Sequence, residues 1–311
     1  MTIPSIRQFS TPSVISRVIP SLAVLLAVHS LTDQATAQYE RFADYHVRAK
    51  LEVELLNDLR DGCIDDHTLI RASLIAAGHV DEAAIHAIGV RYQGYVARCG
   101  QLLATDDEFR DQAATLFRFM HAEILRGRFE PGLYDVARTI SDGDYNCLTA
   151  TILFQSLCQR FSLPAQAVWQ PTHVCCWLSE SEYEGLAVET TTPKWNDALR
   201  ARESIADVPA RFLTRTELIA KVFYNRGVEA LHRRWFSTAL SATWASCLLD
   251  SDDGQAQLNL RACLNNWALD AALAGDVATA RKLLETGMRF DPEYAPFARN
   301  QAFVRQMSNG T

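Results

Sequence analysis

The stretch GDYNCLTATILFQSL, residues 143–157, decides how the rest of the chain must be arranged. Its first residues favour a turn, whereas the mostly apolar run after Cys147 favours a buried helix. A cysteine inside such a helix is usually inert packing. In the first turn, however, unpaired backbone N–H groups and the positive end of the helix dipole favour a thiolate. The position therefore makes Cys147 a candidate nucleophile.

The composition is that of an ordinary globular protein. Of 311 residues, 48% are hydrophobic and 22% are charged, which excludes disordered and collagen-like classes. The length allows about two or three domains. The net charge is −7 and no lysine or arginine cluster is present, so a nucleic-acid partner is not expected, because that surface needs a concentrated basic face.

Residues 1–37 have the features of an export signal. Arg7 and Arg17 precede the uncharged stretch 18–32, and Ala35-Thr36-Ala37 then offers small residues for a signal peptidase. A retained membrane anchor is the alternative, but the stretch falls short of the ~20 apolar residues that a span needs. We therefore expect a periplasmic or secreted protein with no membrane association beyond the export signal.

Two regions with different patterns follow the signal. In residues 38–127, apolar residues recur at helical spacing without strand-like alternation, which predicts an all-helical wrap on the segment that follows. In residues 128–213, a loop rich in Gly, Pro, Asp and Asn leads into a helix that starts at Cys147. The β-rich runs AQAVWQ, HVCCWL and GLAVETT come next, so this segment is predicted to be α+β.

Residues 214–311 return to a helical pattern and contain an internal repeat. The two copies align without gaps, so that Ala239 matches Ala280. The second copy resembles a tetratricopeptide repeat, with Ala280, Gly287 and Pro292 at its small-residue and terminal proline positions. We expect a concave helical surface that binds a protein partner or packs on the core. Packing is favoured, because about three repeats are usually needed for an independent stack.

A nucleophilic cysteine also needs a base and a group that orients the base. His173 opens an apolar strand, and Glu189 lies near the end of the next one. If a loop of about five residues is centred near Ser181, His173 faces Glu189 and Cys175 faces Ala187, with Cβ atoms about 5 Å apart. Alone, these would more often be a core histidine and a solvated carboxylate. Together with the cysteine, their spacing favours a catalytic arrangement.

Other side chains are candidates for lining this site. Asn146 and Asp144 precede the nucleophile, and Asn146 is a ready amide donor for an oxyanion beside the nucleophile's own N–H. Trp169 and Trp177 lie on the predicted strands and are candidates for the walls of a substrate groove, with aromatic packing against the helix as the alternative. His121, on an amphipathic helix, is assigned a structural role.

Cys147 at a helix start, His173 on the next major strand and an acidic residue before Thr190-Thr191 resemble the transglutaminase-like cysteine peptidase superfamily. The resemblance covers roughly residues 110–195. In that family the same order carries the nucleophile, the general base and the orienting carboxylate. This chain departs from the family at Glu189, where Asp is most common, and in having leucine rather than tryptophan after the nucleophile.

The resemblance implies an α+β fold in which a papain-like, transglutaminase-like core, with a helix packed on a small antiparallel sheet, lies between the helical wrap and the tetratricopeptide-like repeats. It implies attack on an amide of a peptide or cell-wall peptide through a Cys147 thioester, ending in hydrolysis or acyl transfer. The substrate would be a peptide or protein, and no metal or cofactor is implied. The alternative is a non-catalytic protein-binding module, in which a degenerate core and the repeats hold a partner.

The remaining cysteines raise the question of disulfides. None of the eight lies in a CxxC pair, and no zinc-site spacing is present. The number of cysteines is consistent with an oxidising compartment. We expect Cys63 to pair with Cys99, and Cys247 to pair with Cys263 on neighbouring antiparallel helices of the repeat region.

The export signal generates a first prediction. Mature protein should begin at Gln38, and replacing both Ala35 and Ala37 by Arg should block cleavage, because the signal peptidase reads small residues there. N-terminal sequencing of exported protein checks this. Exported material that begins at Met1 would contradict it.

Overall fold

The chain combines helices with one small sheet. The structure is a computed structural model that describes residues 48–103, 108–179, 185–195 and 210–309. The predicted export signal, residues 1–37, lies outside these ranges. Within them, no helix has both the length and the apolar character that a membrane span requires.

The N-terminal part is helical, as its apolar spacing predicts. Its elements are α1 Lys50–Asp58, a 3₁₀ turn Leu59–Asp61, α2 Leu69–Ala77, α3 Glu82–Gly100, α4 Phe109–Phe119, a π-helical turn Met120–Ile124 that continues α4, and α5 Val136–Asp142. Local chemistry fixes the ends of α2. The Thr68 hydroxyl accepts a hydrogen bond from the N–H of Arg71, and Gly78 ends the helix with a φ of 105° that other residues rarely adopt.

The centre of the chain forms one helix and a four-stranded antiparallel sheet in the order β3-β2-β1-β4. The elements are α6 Cys147–Arg160, β1 Ala165–Gln170, β2 His173–Ser179, β3 Gly185–Val188 and β4 Arg211–Leu213. The mixed α+β class that the sequence predicts is thereby confirmed, together with the small antiparallel sheet.

Helix α6 is the centre of the core, because every residue from Leu148 to Cys158 is buried. β1 and β2 cover one side of the helix, and α2, α4 and α5 cover the other. Where the helix meets the sheet, Thr151 shares a hydrogen bond of 3.0 Å with the hydroxyl of Thr190. Burying each large apolar side chain of α6 stabilises the fold by ~1.5–3 kcal/mol.

The pairing of β2 with β3 differs from the sequence prediction by two residues. Trp177 pairs with Ala187, and Ser179 pairs with Gly185, so the predicted pairing of Cys175 with Ala187 is wrong. In this register the Trp177 ring lies against Gly185, where a Cβ would be 2.5 Å from the ring nitrogen. An offset of two leaves every side chain on its predicted face, since the side-chain period of a strand is also two.

The predicted disulfides are wrong, since all eight cysteines are free thiols. Cys63 is exposed beyond the 3₁₀ turn, whereas Cys99 points into the core and is fully buried. In the repeat region the thiol of Cys263 lies 3.7 Å from the hydroxyl of Thr243, which donates to it. Thr243 is one helical turn before Cys247, so Cys263 is in contact with the wrong turn of that helix for a disulfide.

The C-terminal segment is a stack of helices in which each packs on the next. Its members are α7 Arg215–His232, α8 Phe236–Leu249, α9 Gly254–Leu273, α10 Val277–Phe290 and α11 Ala295–Asn309. Close packing requires the small residue at position 287. A Cβ on Gly287 would lie 2.6 Å from the ring of Phe297, so a larger side chain there would push α10 and α11 apart.

Helix α7 joins this stack to the rest of the protein by packing on α2, β1 and β4. The guanidinium of Arg226 donates to the buried carboxylate of Glu52 at 3.1 Å and to the carbonyl of Ala76 at 3.2 Å. These are residues of α1 and α2. The repeat segment therefore packs on both the N-terminal helices and the sheet.

A buried ion cluster reinforces the same junction. Lys221 of α7 is 1% exposed and donates to Asp250 at 2.9 Å and to Asp253 at 2.6 Å. Its ammonium also lies 4.5 Å from the centre of the Trp169 ring on β1, a cation–π contact. One lysine thus connects the first repeat helix, the loop between α8 and α9, and the sheet.

Removing this lysine should destabilise the protein strongly. Lys221→Met should lower the free energy of unfolding by about 3–5 kcal/mol, because the buried carboxylate of Asp253 loses its ammonium partner and that of Asp250 keeps only Arg211. Lys50→Met is the matched control: it breaks an exposed pair with Glu54 and should cost less than about 1 kcal/mol. Urea unfolding of both variants measures the difference, and equal stabilities would contradict the prediction.

Candidate active site

The helix start places Cys147. Asn146 caps α6 by accepting a hydrogen bond from the N–H of Thr149 at 3.0 Å, and the Thr149 hydroxyl accepts one from the N–H of Asn146 at 3.1 Å. This reciprocal capping box makes Cys147 the first helical residue. Its side chain is partly exposed, whereas the eleven positions that follow are buried. The nucleophile predicted from sequence therefore sits at the partly exposed start of a helix whose next eleven residues are buried.

His173 and Glu189 meet, as the sequence analysis predicts, although they are diagonal rather than directly opposed. The Nε2 atom of His173 lies 2.5 Å from Oε2 of Glu189. The other oxygen of Glu189 accepts from the N–H of Thr191 at 3.0 Å and from its hydroxyl at 2.6 Å. Both carboxylate oxygens are therefore held in place, and they fix the orientation of the imidazole. Diagonal neighbours across a sheet are within reach of a long side chain such as glutamate.

The imidazole also contacts the nucleophile. A hydrogen bond with Cys147 is the largest cause of a raised pKa for His173, about 10, and the bond with Glu189 adds to it against the opposing effect of burial. Nε2 is held by Glu189, which leaves Nδ1 as the ring nitrogen available to the sulfur. His173 is therefore a cation at neutral pH, held between a sulfur and a carboxylate.

The same contacts act on Glu189. Burial by itself would raise the pKa of this carboxyl, but the hydrogen bond and charge of His173, with the two bonds from Thr191, bring it below its usual value. The contact between His173 and Glu189 contributes to both shifts, although Cys147 is the largest cause for His173 and Thr191 adds to the shift of Glu189. The stability that this ion pair contributes is complete between the ordinary pKa values of a glutamate and a histidine; it is lost as pH rises through about 10 and also as pH falls through the lowered pKa of Glu189.

Asp144 holds the loop before the nucleophile. Its Oδ1 accepts from the backbone N–H of Arg128 at 2.9 Å, and its Oδ2 accepts from Arg138 at 2.6 Å. Both oxygens are thereby directed into the loop rather than toward the sulfur. Asn146 uses its Oδ1 for the helix cap, and its Nδ2 has no hydrogen-bond partner in the part of the chain that the structure describes. It remains an amide donor next to Cys147.

The two predicted tryptophans lie on opposite faces of the sheet. Trp169 pairs with Val174, faces the helices and packs under the ammonium of Lys221. Trp177 is on the face of His173, four residues along the same strand and therefore about 13 Å away. Its ring packs edge-on against Phe212 at 6.0 Å. Of the two, only Trp177 shares a face with the imidazole.

His121 has a part in the site that helical periodicity does not reveal. It lies on the π-helical turn after α4, and its Nε2 donates to the carbonyl of Thr190 at 3.1 Å, next to Glu189. Burial lowers the pKa of His121 despite that bond, so the ring is neutral at pH 7. The structural role assigned from sequence is thus to hold the end of the strand that carries Glu189. Isolated π-turns often occur at functional sites.

Gln170 is a further neighbour that the sequence analysis did not single out. It pairs with His173 across β1 and β2, which places both side chains on one face of the sheet. Its Nε2 is buried and has no hydrogen-bond partner among the residues that the structure describes. Buried polar groups are nearly always paired, and exceptions occur at catalytic sites. In the sequence, the only indication of this residue was a polar side chain at the end of a predicted strand.

Comparisons with known proteins give a weak structural similarity and no family for this chain. No protein-family model matches it. No curated protein matches it either. Among solved structures, it is similar to the one described as "Crystal structure of menin reveals the binding site for Mixed Lineage Leukemia (MLL) protein", with a TM-score of 0.49 and 11% identity. The match covers 83% of this chain and 65% of that one. A likeness this weak establishes neither a shared fold nor a shared function.

Within the described ranges, no three His, Cys, Asp or Glu side chains cluster in a way that could hold a metal ion. The groups that meet at the site are a thiol, an imidazole, a carboxylate and the amide donors around them. This set can add a sulfur to a carbonyl and can move one proton.

Replacing Cys147 should change the titration of His173. In Cys147→Ala the pKa of His173 should fall from about 10, because the sulfur is the largest cause of the rise. Glu189→Gln should lower it as well. His79, whose pKa is raised by Asp135 elsewhere in the fold, is the internal control and should not move. NMR titration of the ring protons measures both, and an unchanged His173 in Cys147→Ala would show that the two side chains do not interact.

Proposed function

We propose that the protein is an exported thiol enzyme with a transglutaminase-like core, and that it attacks an amide through Cys147. The observation that carries the proposal is a single imidazole, His173, that contacts the sulfur on one side and the Glu189 carboxylate on the other. The sulfur lies at the N-terminus of a buried helix. Thiol enzymes require these three groups, with the base oriented by the third.

In the first half of the reaction, the thiolate of Cys147 bonds to the carbonyl carbon of the amide. The carbonyl π-electrons move to the oxygen, which becomes an oxyanion. When they return, the C–N bond breaks, and the imidazolium of His173 gives its Nδ1 proton to the leaving nitrogen. The products of this half are a thioester on Cys147, a free amine and a neutral imidazole.

In the second half, neutral His173 takes a proton from the acceptor as the acceptor attacks the thioester. If the acceptor is water, the product is a carboxylic acid; if it is an amine, the product is a new amide. The C–S bond breaks, and the thiolate and imidazolium are regenerated. Glu189 stays ionised throughout and exchanges no proton, because its role is to orient the ring and stabilise the cation.

The oxyanion needs donors aimed at the place where its charge develops. The N–H of Cys147 has no acceptor within its helix, since first-turn N–H groups never do. The free Nδ2 of Asn146 is adjacent to it. These two donors support the oxyanion role predicted for Asn146, whereas the engaged oxygens of Asp144 support a role in loop structure.

The substrate would be a peptide or protein, in the periplasm or outside the cell, in keeping with the export signal predicted from sequence. The repeat segment is proposed as a second protein-binding surface. The competing hypothesis, a non-catalytic module that holds a partner through the same repeats, requires no reactive sulfur. Chemical reactivity therefore separates the two.

Alkylation of the native protein tests the proposal. At mildly acidic pH, iodoacetamide should modify Cys147 at least about tenfold faster than the exposed Cys63, because a neighbouring imidazolium and the helix dipole favour the thiolate. His173→Ala should remove most of this advantage, and Glu189→Gln should remove less. Peptide mass spectrometry measures the rate at each cysteine.

Cys63→Ser is the matched control and should leave the Cys147 rate unchanged. Buried thiols such as Cys175, whose pKa burial raises to about 12, should stay unmodified in the folded protein. Equal reactivity of Cys147 and Cys63 in the native protein would refute the enzyme and favour the binding module.

A further inference from the structure

The side chain of Tyr145, the residue before the helix cap Asn146, projects to the same side of the chain as the side chain of Cys147. Asn146 has φ −143° and ψ −169°, which is a fully extended backbone. Side chains on either side of an extended residue project to the same face, about 7 Å apart. Tyr145 and Cys147 therefore project to the same side of the chain.

Phe129 extends this aromatic surface to the outside. Its ring packs edge-on against Tyr145, with centroids 6.0 Å apart and planes at 84°. Even so, Phe129 remains 53% exposed. A single exposed aromatic side chain next to a site can seat an apolar group of a ligand. We call the pair Phe129 and Tyr145 the aromatic ledge.

The backbone beside the ledge has an open edge. The N–H of Glu130 donates to the carbonyl of Tyr145 at 2.8 Å, and the N–H of Tyr145 donates to the carbonyl of Arg128 at 3.0 Å. In this parallel bridge the N–H and C=O of Phe129 point away from Tyr145. Neither has a hydrogen-bond partner among the described residues. An extended peptide can pair with such an edge as an added strand.

The charge next to the ledge is positive. Arg126 and Arg128 are exposed, and neither forms a salt bridge within the described ranges. The neighbouring carboxylates of Glu130 and Asp144 are already bound by Arg138, at 2.7 and 2.6 Å. An incoming carboxylate would therefore meet two exposed arginines that form no salt bridge among the described residues, with the charge of Arg128 also acting on Glu130 and Asp144.

We infer that residues 128–130 bind the substrate of the proposed reaction as an extended acidic peptide, with an apolar side chain on the aromatic ledge and a carboxylate near Arg126 and Arg128. The inference rests on the proposed function and names its substrate class. The peptide would run past Tyr145 toward Cys147, which receives the carbonyl that follows the apolar residue. The exposed ring, the open backbone edge and the two exposed arginines all point to the same ligand.

Three acetylated dipeptides that end in a vinyl sulfone test this inference, with side chains Glu-Phe, Glu-Ala and Gln-Phe. Their rates of addition to Cys147 are measured by intact mass, with iodoacetamide as a reference that carries no side chains. We expect Glu-Phe to react about tenfold faster than Glu-Ala, the effect of seating one aromatic ring. We expect it to react a few-fold faster than Gln-Phe, with the second ratio shrinking as salt is added.

Two variants and one control complete the experiment. Phe129→Ala should bring the Glu-Phe to Glu-Ala ratio close to one, and Arg128→Gln should narrow the Glu-Phe to Gln-Phe ratio. Trp235→Ala removes another exposed aromatic, 55% exposed, on the repeat segment and should leave both ratios unchanged.

Suppose that iodoacetamide still selects Cys147. Equal rates of the three probes on the wild type, or an undiminished preference for Glu-Phe over Glu-Ala in Phe129→Ala, would then overturn the inference but not the proposed function. If iodoacetamide does not select Cys147, the proposed function fails and the inference fails with it. If the Glu-Phe to Glu-Ala ratio falls to about one in Phe129→Ala but not in Trp235→Ala, the inference is supported. This holds whether the natural reaction is hydrolysis or acyl transfer.

Discussion

Helix α6 has no side on which it can face water, and this constraint governs the rest of the structure. A helix that is buried all round needs cover from every direction. One sheet can cover only one side of it, so the N-terminal helices must supply the remainder. Two parts of α6 escape this cover: Cys147 at its start, and Gln159 and Arg160 at its end. Burial thus leaves Cys147 as the one partly exposed thiol of the helix, at the end where the backbone N–H groups have no helical acceptor.

The groups that act on Cys147 come from distant parts of the chain and are held by short, mutually dependent contacts. Glu189 is oriented by Thr191, and its strand end is held by His121 from the π-helical turn. His173 is then fixed between the carboxylate and the sulfur. A site arranged in this way needs little reorganisation when a substrate binds, because its polar groups already point to where they act.

The features that local chemistry decides could be predicted from the sequence. The start of α6 follows from a capping residue before an apolar run, and the faces of β2 follow from strict alternation. The register of β2 against β3 could not be derived in the same way, because it depends on contact between Gly185 and the ring of Trp177. The π-turn at His121 and the separation of the predicted disulfide partners also depend on how helices pack, which periodicity does not determine.

The free buried thiols have a consequence for the lifetime of the native state. Burial raises the pKa of several of them, which keeps them protonated and unable to attack disulfides while the protein is folded; they are Cys99, Cys158, Cys175, Cys176, Cys247 and Cys263. Unfolding exposes all of them at once. In an oxidising compartment the unfolded chain would then be trapped by random cross-linking, so its persistence there would be set by the height of the unfolding barrier rather than by the equilibrium between folded and unfolded states.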